Sequence, residues 1–247
     1  MRPSFRRLVS LWGSFAEVLL YPSYCEICQI FLEKPEEKVI CRSCREKIKP
    51  WAASRCLCCG RFFEGVGEPH LCGTCLERTP PFSKHRSCAR YEGILRDVIL
   101  LYKYRGFEIL GRYLGDFVGQ TLGGDEDIWS GVEAIIPVPL HPAKEKKRGF
   151  NQAQVLAKRL AKIKNVELLE RQLVKVKNVP PQTTLEAEER VRNVHGAFKV
   201  KKCRNLEGKI VLLVDDVYTT GSTLGECSSV LKKAGVREIR AVTVAQA

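Results

Sequence analysis

From Tyr91 onward the apolar residues recur first at helical spacing, then in short unbroken runs, and the two patterns alternate to the end of the chain. EGILRDVILLYKYRG puts Ile94, Leu95, Val98, Ile99 and Tyr102 on one face, which predicts a helix ended by Gly106. Residues 112–122 predict another helix, and GGDEDIWSG reads as an exposed acidic link. AIIPV is a short strand, followed by a loop rich in Pro, Lys and Arg and the helix NQAQVLAKRLAKI. After the turn-prone, charged stretch 178–193 come the strand KIVLLV, the helix TLGECSSVLKKAGV and the strand REIRAVTVA. In that helix Thr223 and Glu226 match a capping box, Leu224, Cys227, Leu231 and Ala234 form the apolar stripe, and Gly235 suits its end. Strands alternating with helices imply an α/β domain on a mainly parallel sheet.

Before residue 80 the periodicity gives way to cysteines. Cys25, Cys28, Cys41 and Cys44 make two CxxC pairs twelve residues apart, and Cys56, Cys59, Cys72 and Cys75 repeat the pattern with a displacement of 31. Each CxxC turn brings two sulfurs to one point, and two such turns complete a tetrahedral four-sulfur site suited to Zn2+. A disulfide framework would need an oxidising compartment and a secretory signal. The repeat favours one metal per copy, although the spacing also permits a cross-braced arrangement in which the first and third pairs share an ion. With all four positions filled by sulfur the expected role is structural. In a module too small for a large core, such a site supplies folding free energy on the order of 10 to 16 kcal/mol. Cys58, Cys88, Cys203 and Cys227 fall outside the pattern and read as buried or incidental thiols.

The N-terminus carries Arg2, Arg6 and Arg7 ahead of an apolar stretch, as a secretory signal does, but Glu17 interrupts it and no small-residue cleavage site follows. Phe5, Leu8, Trp12, Phe15 and Leu19 recur at helical spacing, so residues 1–22 are expected to form an amphipathic helix. The expected organisation is that helix, a double cysteine module over 23–80 and the α/β domain over 86–247. No run of 18 apolar residues is present, so a membrane span is excluded and a soluble, cytoplasmic protein expected.

Charge sharpens the picture. The chain carries 41 Lys and Arg against 28 Asp and Glu, a formal net charge of +13. Between Leu140 and Asn205 stand 17 basic and 6 acidic residues, so most of the excess falls there. Such a field suits phosphate-bearing partners, nucleotides or nucleic acid, and equally suits a solvated surface.

The chemistry concentrates in LLVDDVYTTGST. An apolar strand closes on Asp215 and Asp216, beyond which ligands of parallel α/β sheets bind. Two carboxylates about 4 Å apart repel by roughly 1 kcal/mol in water and about 4 kcal/mol at a partly buried site. A polyhydroxyl ligand, a divalent cation or a helix N-terminus offsets that. Thr219, Thr220, Gly221, Ser222 and Thr223 supply hydroxyls and backbone N–H groups at such a terminus, a cradle for phosphate. Carboxylates for ribose hydroxyls beside a phosphate cup describe a ribose 5-phosphate pocket. No GxxxxGK[ST] is present and no GxGxxG follows any strand.

VLLVDDVYTTGST resembles the phosphoribosyl pyrophosphate (PRPP) signature of type I phosphoribosyltransferases. With YEGILRDVILLYKYRG, IIPVPLHPAKEKKRGFNQAQVLA, PPQTTLEAEERVRNVHGAF and AGVREIRAVTVA, nearly the whole chain resembles the ComF family of ComFC-type competence proteins, whose N-terminal double zinc ribbon the cysteine repeat matches. The resemblance implies a type I phosphoribosyltransferase fold in which Asp215 and Asp216 hold the ribose 2- and 3-hydroxyls, directly or through Mg2+, and Thr219–Thr223 bind the 5-phosphate. It also implies that the loop from Pro139 through Asn151 approaches the pyrophosphate, with Arg148 and Lys144 neutralising it, and Lys103 and Arg105 as further basic candidates. Residues 171–193 would form the flexible cover, where Arg171, Gln182, Arg190 and Asn193 match family positions. Lys175, Lys177 and Val179 depart from the family pattern. Two classes follow from the resemblance. One is a transferase in which a nitrogen nucleophile displaces Mg2+-pyrophosphate and Asp216 takes a proton from the acceptor. The other is a PRPP-sensing protein that binds single-stranded DNA, with Tyr102, Tyr104 and Phe107 as stacking rings and a helicase-type protein as partner. No residue set identifies the acceptor base.

Overall fold

The computed structural model describes residues 23–32, 37–65, 67–178, 195–201 and 206–247. The expected N-terminal helix, most of the flexible cover including Gln182, Arg190 and Asn193, and Cys203 lie outside the described residues. A sheet of five parallel strands carries the chain: β1 (Lys84–Arg90), β2 (Ala134–Pro137), β3 (Glu167–Leu168), β6 (Ile210–Tyr218) and β7 (Glu238–Gln246), in the order β1-β7-β6-β2-β3. Strands β4 (Leu173–Lys175) and β5 (Phe198–Val200) form a separate antiparallel pair.

The central strands are apolar because both faces of the sheet are covered, as a parallel sheet requires. Ahead of the sheet each cysteine module carries one short helix, α1 (Arg42–Glu46) and α2 (Gly73–Glu77). Leu212, Val214, Val242 and Val244 pack with helices α3 (Gly93–Tyr104), α4 (Ile109–Leu122) and α7 (Gln152–Lys164). Val211, Leu213, Ile239 and Ala241 belong to a second core with Leu224, Cys227 and Leu231 of α8 (Ser222–Lys233). The helical face expected for α3 is confirmed: Leu95, Val98, Ile99 and Tyr102 are buried. Each cysteine module joins a different core. Cys25, Cys41 and Cys44, with Leu32, Ile40 and Ile48, extend the first cluster, whereas Cys56, Cys59, Cys72 and Cys75 extend the second. The modules are thereby anchored to opposite layers of the α/β domain.

Two local expectations are corrected. The acidic link is not simply exposed: it contains the turn α5 (Glu126–Trp129), whose Ile128 is fully buried and whose Asp127 pairs with Lys84. The basic loop after β2 holds a helix, α6 (Pro142–Arg148), opened by His141 accepting from the Ala143 N–H and closed by Gly149 in the left-handed region. Proline at its first position, Lys146, Lys147 and Arg148 at its end and glycine after it make this a regular short helix.

Helix α4 lies against α7 through small residues. A Cβ on Gly111 would stand 2.6 Å from Val155 Cγ1, and one on Gly115 2.8 Å from Arg159 Cβ. The approach also lets Arg159 Nε reach Asp116 Oδ1 at 2.6 Å. Gly111→Val is therefore expected to destabilise the fold by about 1–3 kcal/mol through overpacking, read as a lowered urea midpoint; an unchanged midpoint would show that the helices separate at little cost.

Candidate functional site

The carboxylates of the aspartate motif lie within the last turns of β6, not after it, because the strand continues to Tyr218. Pairing of Asp215 with Thr243 and of Tyr218 with Gln246 of β7 holds this end of the strand extended. Asp216 is buried and its Oδ1 lies 2.7 Å from Lys103 Nζ at the end of α3. Lys103, expected to meet PRPP, is thus already engaged by a carboxylate. Burial works against its charge, but the Asp216 carboxylate outweighs that and raises its pKa.

Asp215 differs. Its Oδ1 accepts the Asp216 N–H at 2.8 Å. Burial and the neighbouring Asp216 charge nevertheless push its pKa up to about 7, with Lys103 and Lys175 only partly compensating. Near neutrality this carboxyl is poised between its two states. Lys175 of β4 is depressed by burial, and the charge of Asp215 opposes that. Lys144 is depressed by burial and by the positive charges of Lys175 and Arg148. The basic candidates of α6 and the non-family lysine of β4 therefore form one positive wall, whose Lys175 faces Asp215. Arg148 is oriented by Gln152, whose Oε1 accepts from Nη1 at 2.8 Å, and by the Tyr104 ring, 5.2 Å from its guanidinium carbon. Arg171 is exposed at the start of the cover.

The hydroxyl-rich bend Thr219–Thr223 follows at once. Gly221 caps α8 with φ +77, and Ser222 and Thr223 open the helix, whose first N–H groups face outward as in any helix start. Thr220 Oγ1 accepts the Ser222 N–H at 3.4 Å and lies 3.0 Å from Ser222 Oγ, tightening the bend. A side chain at Gly221 would collide with the Tyr218 hydroxyl, so glycine is required both by conformation and by space. The capping box is not formed: the cap is Gly221, and Glu226 instead accepts the Gly196 N–H at 2.7 Å, because that segment folds against α8.

Sequence reasoning missed His85. It is fully buried, its Nδ1 donates to the Cys59 carbonyl at 2.8 Å, and its Nε2 lies 3.0 Å from Thr243 Oγ1. Burial drives its pKa down to about 3, so the ring is neutral. It stacks on Tyr218 with ring centres 4.2 Å apart. A cysteine turn is thus connected through one imidazole to the tyrosine that packs against Gly221. No sequence pattern marks a lone histidine in this role. Tyr102, expected as a stacking ring, is corrected: it is fully buried, packs on Phe150 and donates to the Gln152 carbonyl at 2.8 Å, so no base can reach it. Tyr104 is 63% exposed.

The cysteines assemble as one set per copy, so the cross-braced alternative is excluded. Cys25, Cys28, Cys41 and Cys44 bring their sulfurs within 4.8 Å of one another, as do Cys56, Cys59, Cys72 and Cys75. The separations of 3.8 Å for Cys25–Cys44 and 3.6 Å for Cys28–Cys41 and Cys59–Cys72 match the edge of a tetrahedron with Zn–S bonds of about 2.3 Å. Backbone N–H groups of Cys41 and Cys72 point at the sulfurs of Cys25 and Cys56, at 3.4 and 3.3 Å. Burial raises both thiols, yet such bonds outweigh it and leave Cys25 at about 6 and Cys56 at about 7. Cys59 is pushed up to about 12, and Cys44 and Cys75 are raised further by burial and neighbouring thiols. Four thiolates this close together need a cation to coexist, and Zn2+ fits both sets.

The comparisons agree with this architecture. The Phosphoribosyl transferase domain model matches residues 146–247, and the Double zinc ribbon domain model matches residues 17–76. Competence protein ComFC of Bacillus subtilis is 29% identical over 212 residues, 83% of this chain and 82% of its own length. Together these matches support a ComFC-type protein. Competence protein F of Haemophilus influenzae is 40% identical over 116 residues, and DNA utilization protein YhgH of Escherichia coli 30% identical over 108. The chain spans about half the length of each of those two relatives, through 47% and 44% of its own. Its fold is that of a phosphoribosyltransferase domain with two four-cysteine zinc sites, and among the described residues no helix is long and apolar enough to cross a membrane.

Native mass spectrometry of the full chain is expected to count two zinc ions. Cys44→Ser and Cys75→Ser should each lose one, leaving the other site filled; loss of both ions from either variant would contradict independent sites.

Proposed function

We propose that the site binds PRPP and acts as a phosphoribosyltransferase centre within a protein of DNA uptake. The observation that carries this reading is Asp215, a carboxyl held near pKa 7 beside Asp216 and followed directly by the helix-opening cup Thr219–Thr223. The ribose hydroxyls fall to Asp215 and Asp216, and the 5-phosphate to the loop N–H groups and hydroxyls. The pyrophosphate falls to the wall of Lys144, Arg148 and Lys175.

The oxygen pair also fits Mg2+, since a hard cation takes carboxylate oxygen and would stabilise the ionised form of Asp215. When bound with PRPP, Mg2+ neutralises the pyrophosphate and makes it a better leaving group. The chain's own contribution is electrostatic: the lysines and Arg148 are fixed in place before the charge on the departing pyrophosphate develops. Asp216 already holds Lys103, so the proton from the acceptor is assigned to Asp215, whose pKa matches a general base working near neutrality.

Binding of PRPP with Mg2+ should therefore strengthen as pH rises from 6 to 8, because the ligand selects ionised Asp215 and the free group titrates at about 7. Isothermal titration calorimetry at several pH values reads this directly, and Asp215→Asn should both weaken binding and flatten the profile. A variant that keeps the parent's slope would remove Asp215 from the site; no heat for either protein would remove the PRPP reading.

A second reading, a non-catalytic PRPP sensor that holds single-stranded DNA, is favoured by the exposed Lys146, Lys147, Lys158 and Lys162 of α6 and α7 and by the relatives' names. Affinity for an oligonucleotide should then fall steeply with salt, by about 0.7 log units per log unit of salt for each phosphate neutralised. A flat salt dependence, or no binding at low salt, would discard it. Localisation in the cytoplasm and a helicase-type partner belong to the same proposal.

A further inference from the structure

Glu226, in the second turn of α8, spends its carboxylate on a distant segment rather than on its own helix. Oε1 accepts the Gly196 N–H at 2.7 Å, and Oε2 lies 3.6 Å from His195 Nδ1. The His195 side chain is 86% exposed, so that second contact contributes little. The Glu226 side chain is only 17% exposed, and a hydrogen bond from a backbone N–H to a carboxylate is about twice as strong as a neutral one. The bond from Gly196 is therefore the anchor.

What it anchors is the hairpin of β4 and β5. Gly196 has φ +65, and directly after it the Ala197 carbonyl accepts the Val176 N–H at 2.8 Å and Phe198 pairs with Lys175. From the other strand Lys177 Nζ donates to the His195 carbonyl at 2.8 Å. The segment that Glu226 holds is thus tied to the whole stretch from Lys175 to Lys177. Lys175 Nζ lies over the Phe198 ring, 5.1 Å from its centre, and feels the charge of Asp215.

This hairpin is separate from the five-stranded sheet, and two strands alone are marginally stable. Leu173, Ala197 and Phe198 share a core with Leu224, Cys227 and Leu231 of α8, which presses the hairpin onto the helix. Apolar burial is non-directional, so it leaves the position along α8 open. A directional bond is what sets it.

We propose that Glu226 is a positioning residue: by fixing Gly196 it holds the β4–β5 hairpin at the height on α8 at which Lys175 faces Asp215. The consequence for ligand binding rests on the phosphoribosyl reading above; the placement of Lys175 does not.

The test combines acetylation of the full chain by an N-hydroxysuccinimide ester, with Lys175 followed by peptide mass spectrometry, and calorimetry with PRPP and Mg2+. Glu226→Ala is expected to raise the Lys175 rate by about threefold or more as the hairpin opens locally. Glu226→Gln, whose amide oxygen still accepts the Gly196 N–H, should keep the parent's rate. Glu226→Ala should also weaken PRPP binding about tenfold in the parent background and leave it unchanged beside Lys175→Met, the coupling expected of residues that act through one contact. Hydrogen exchange of β6 and β7 reports that each variant folds. Should Glu226→Ala fail that check, Glu226→Asp, shorter by a methylene with its charge kept, carries the same test. Equal Lys175 rates in parent and variant, or a glutamine variant that labels like the alanine one, overturn this inference. An equal loss of PRPP affinity in both backgrounds, or no loss in either, overturns it as well, because Glu226 then acts independently of Lys175. If the parent itself binds no PRPP, the phosphoribosyl reading falls and the labelling rates alone decide the placement of Lys175.

Discussion

Two carboxylates side by side at the end of a buried parallel strand are the constraint around which the rest of the domain is arranged. Left alone they would repel and resist burial. The structure separates their fates: Asp216 is neutralised by Lys103 at 2.7 Å, reaching across from α3, and Asp215 is left with a pKa near 7. Lys175 and Lys144, themselves depressed by burial, extend the positive side of the same centre. The strand thus supplies both carboxylates, and α3, α6 and the β4–β5 hairpin each supply a lysine to a balance that no single element could hold.

The cysteine modules are more than appendages to this centre. Their cores are continuous with the two hydrophobic layers, and the second module is linked to the Thr219–Thr223 bend through His85 and Tyr218. A buried neutral imidazole is well suited to that task, since it donates to the Cys59 carbonyl on one side and offers a flat face on the other. Because sulfur sets of this kind supply much of a small module's folding energy once metal is bound, the surface that Cys59 and Cys75 turn toward the cleft beside Thr219–Ser222 rests on the four-sulfur set as well as on apolar packing.

The apolar runs and helical spacing made the main elements readable: the faces of α3 and α8, the strands β2, β6 and β7 and the cysteine repeat all follow from local pattern. The misreadings have a common origin. Glu226 matched a cap by spacing but is turned toward Gly196, Tyr102 is an aromatic in a basic stretch but is buried, and the acidic link hides Ile128. Each of these side chains is claimed by a partner far away in sequence, and a one-dimensional pattern contains no record of that partner.

The sequence alone determined the two four-cysteine sets, the parallel α/β domain and the motif in which two aspartates precede a glycine-containing bend, since each is written in adjacent or periodic residues. Only the tertiary structure decided that sulfurs assemble within each copy, that Lys103 serves Asp216, and that His85 joins a cysteine turn to Tyr218. The reason is physical: metal geometry, ion pairing and desolvation act over a few ångströms of space, and residues as distant along the chain as Arg90 and Gln246 become neighbours only when the strands pair.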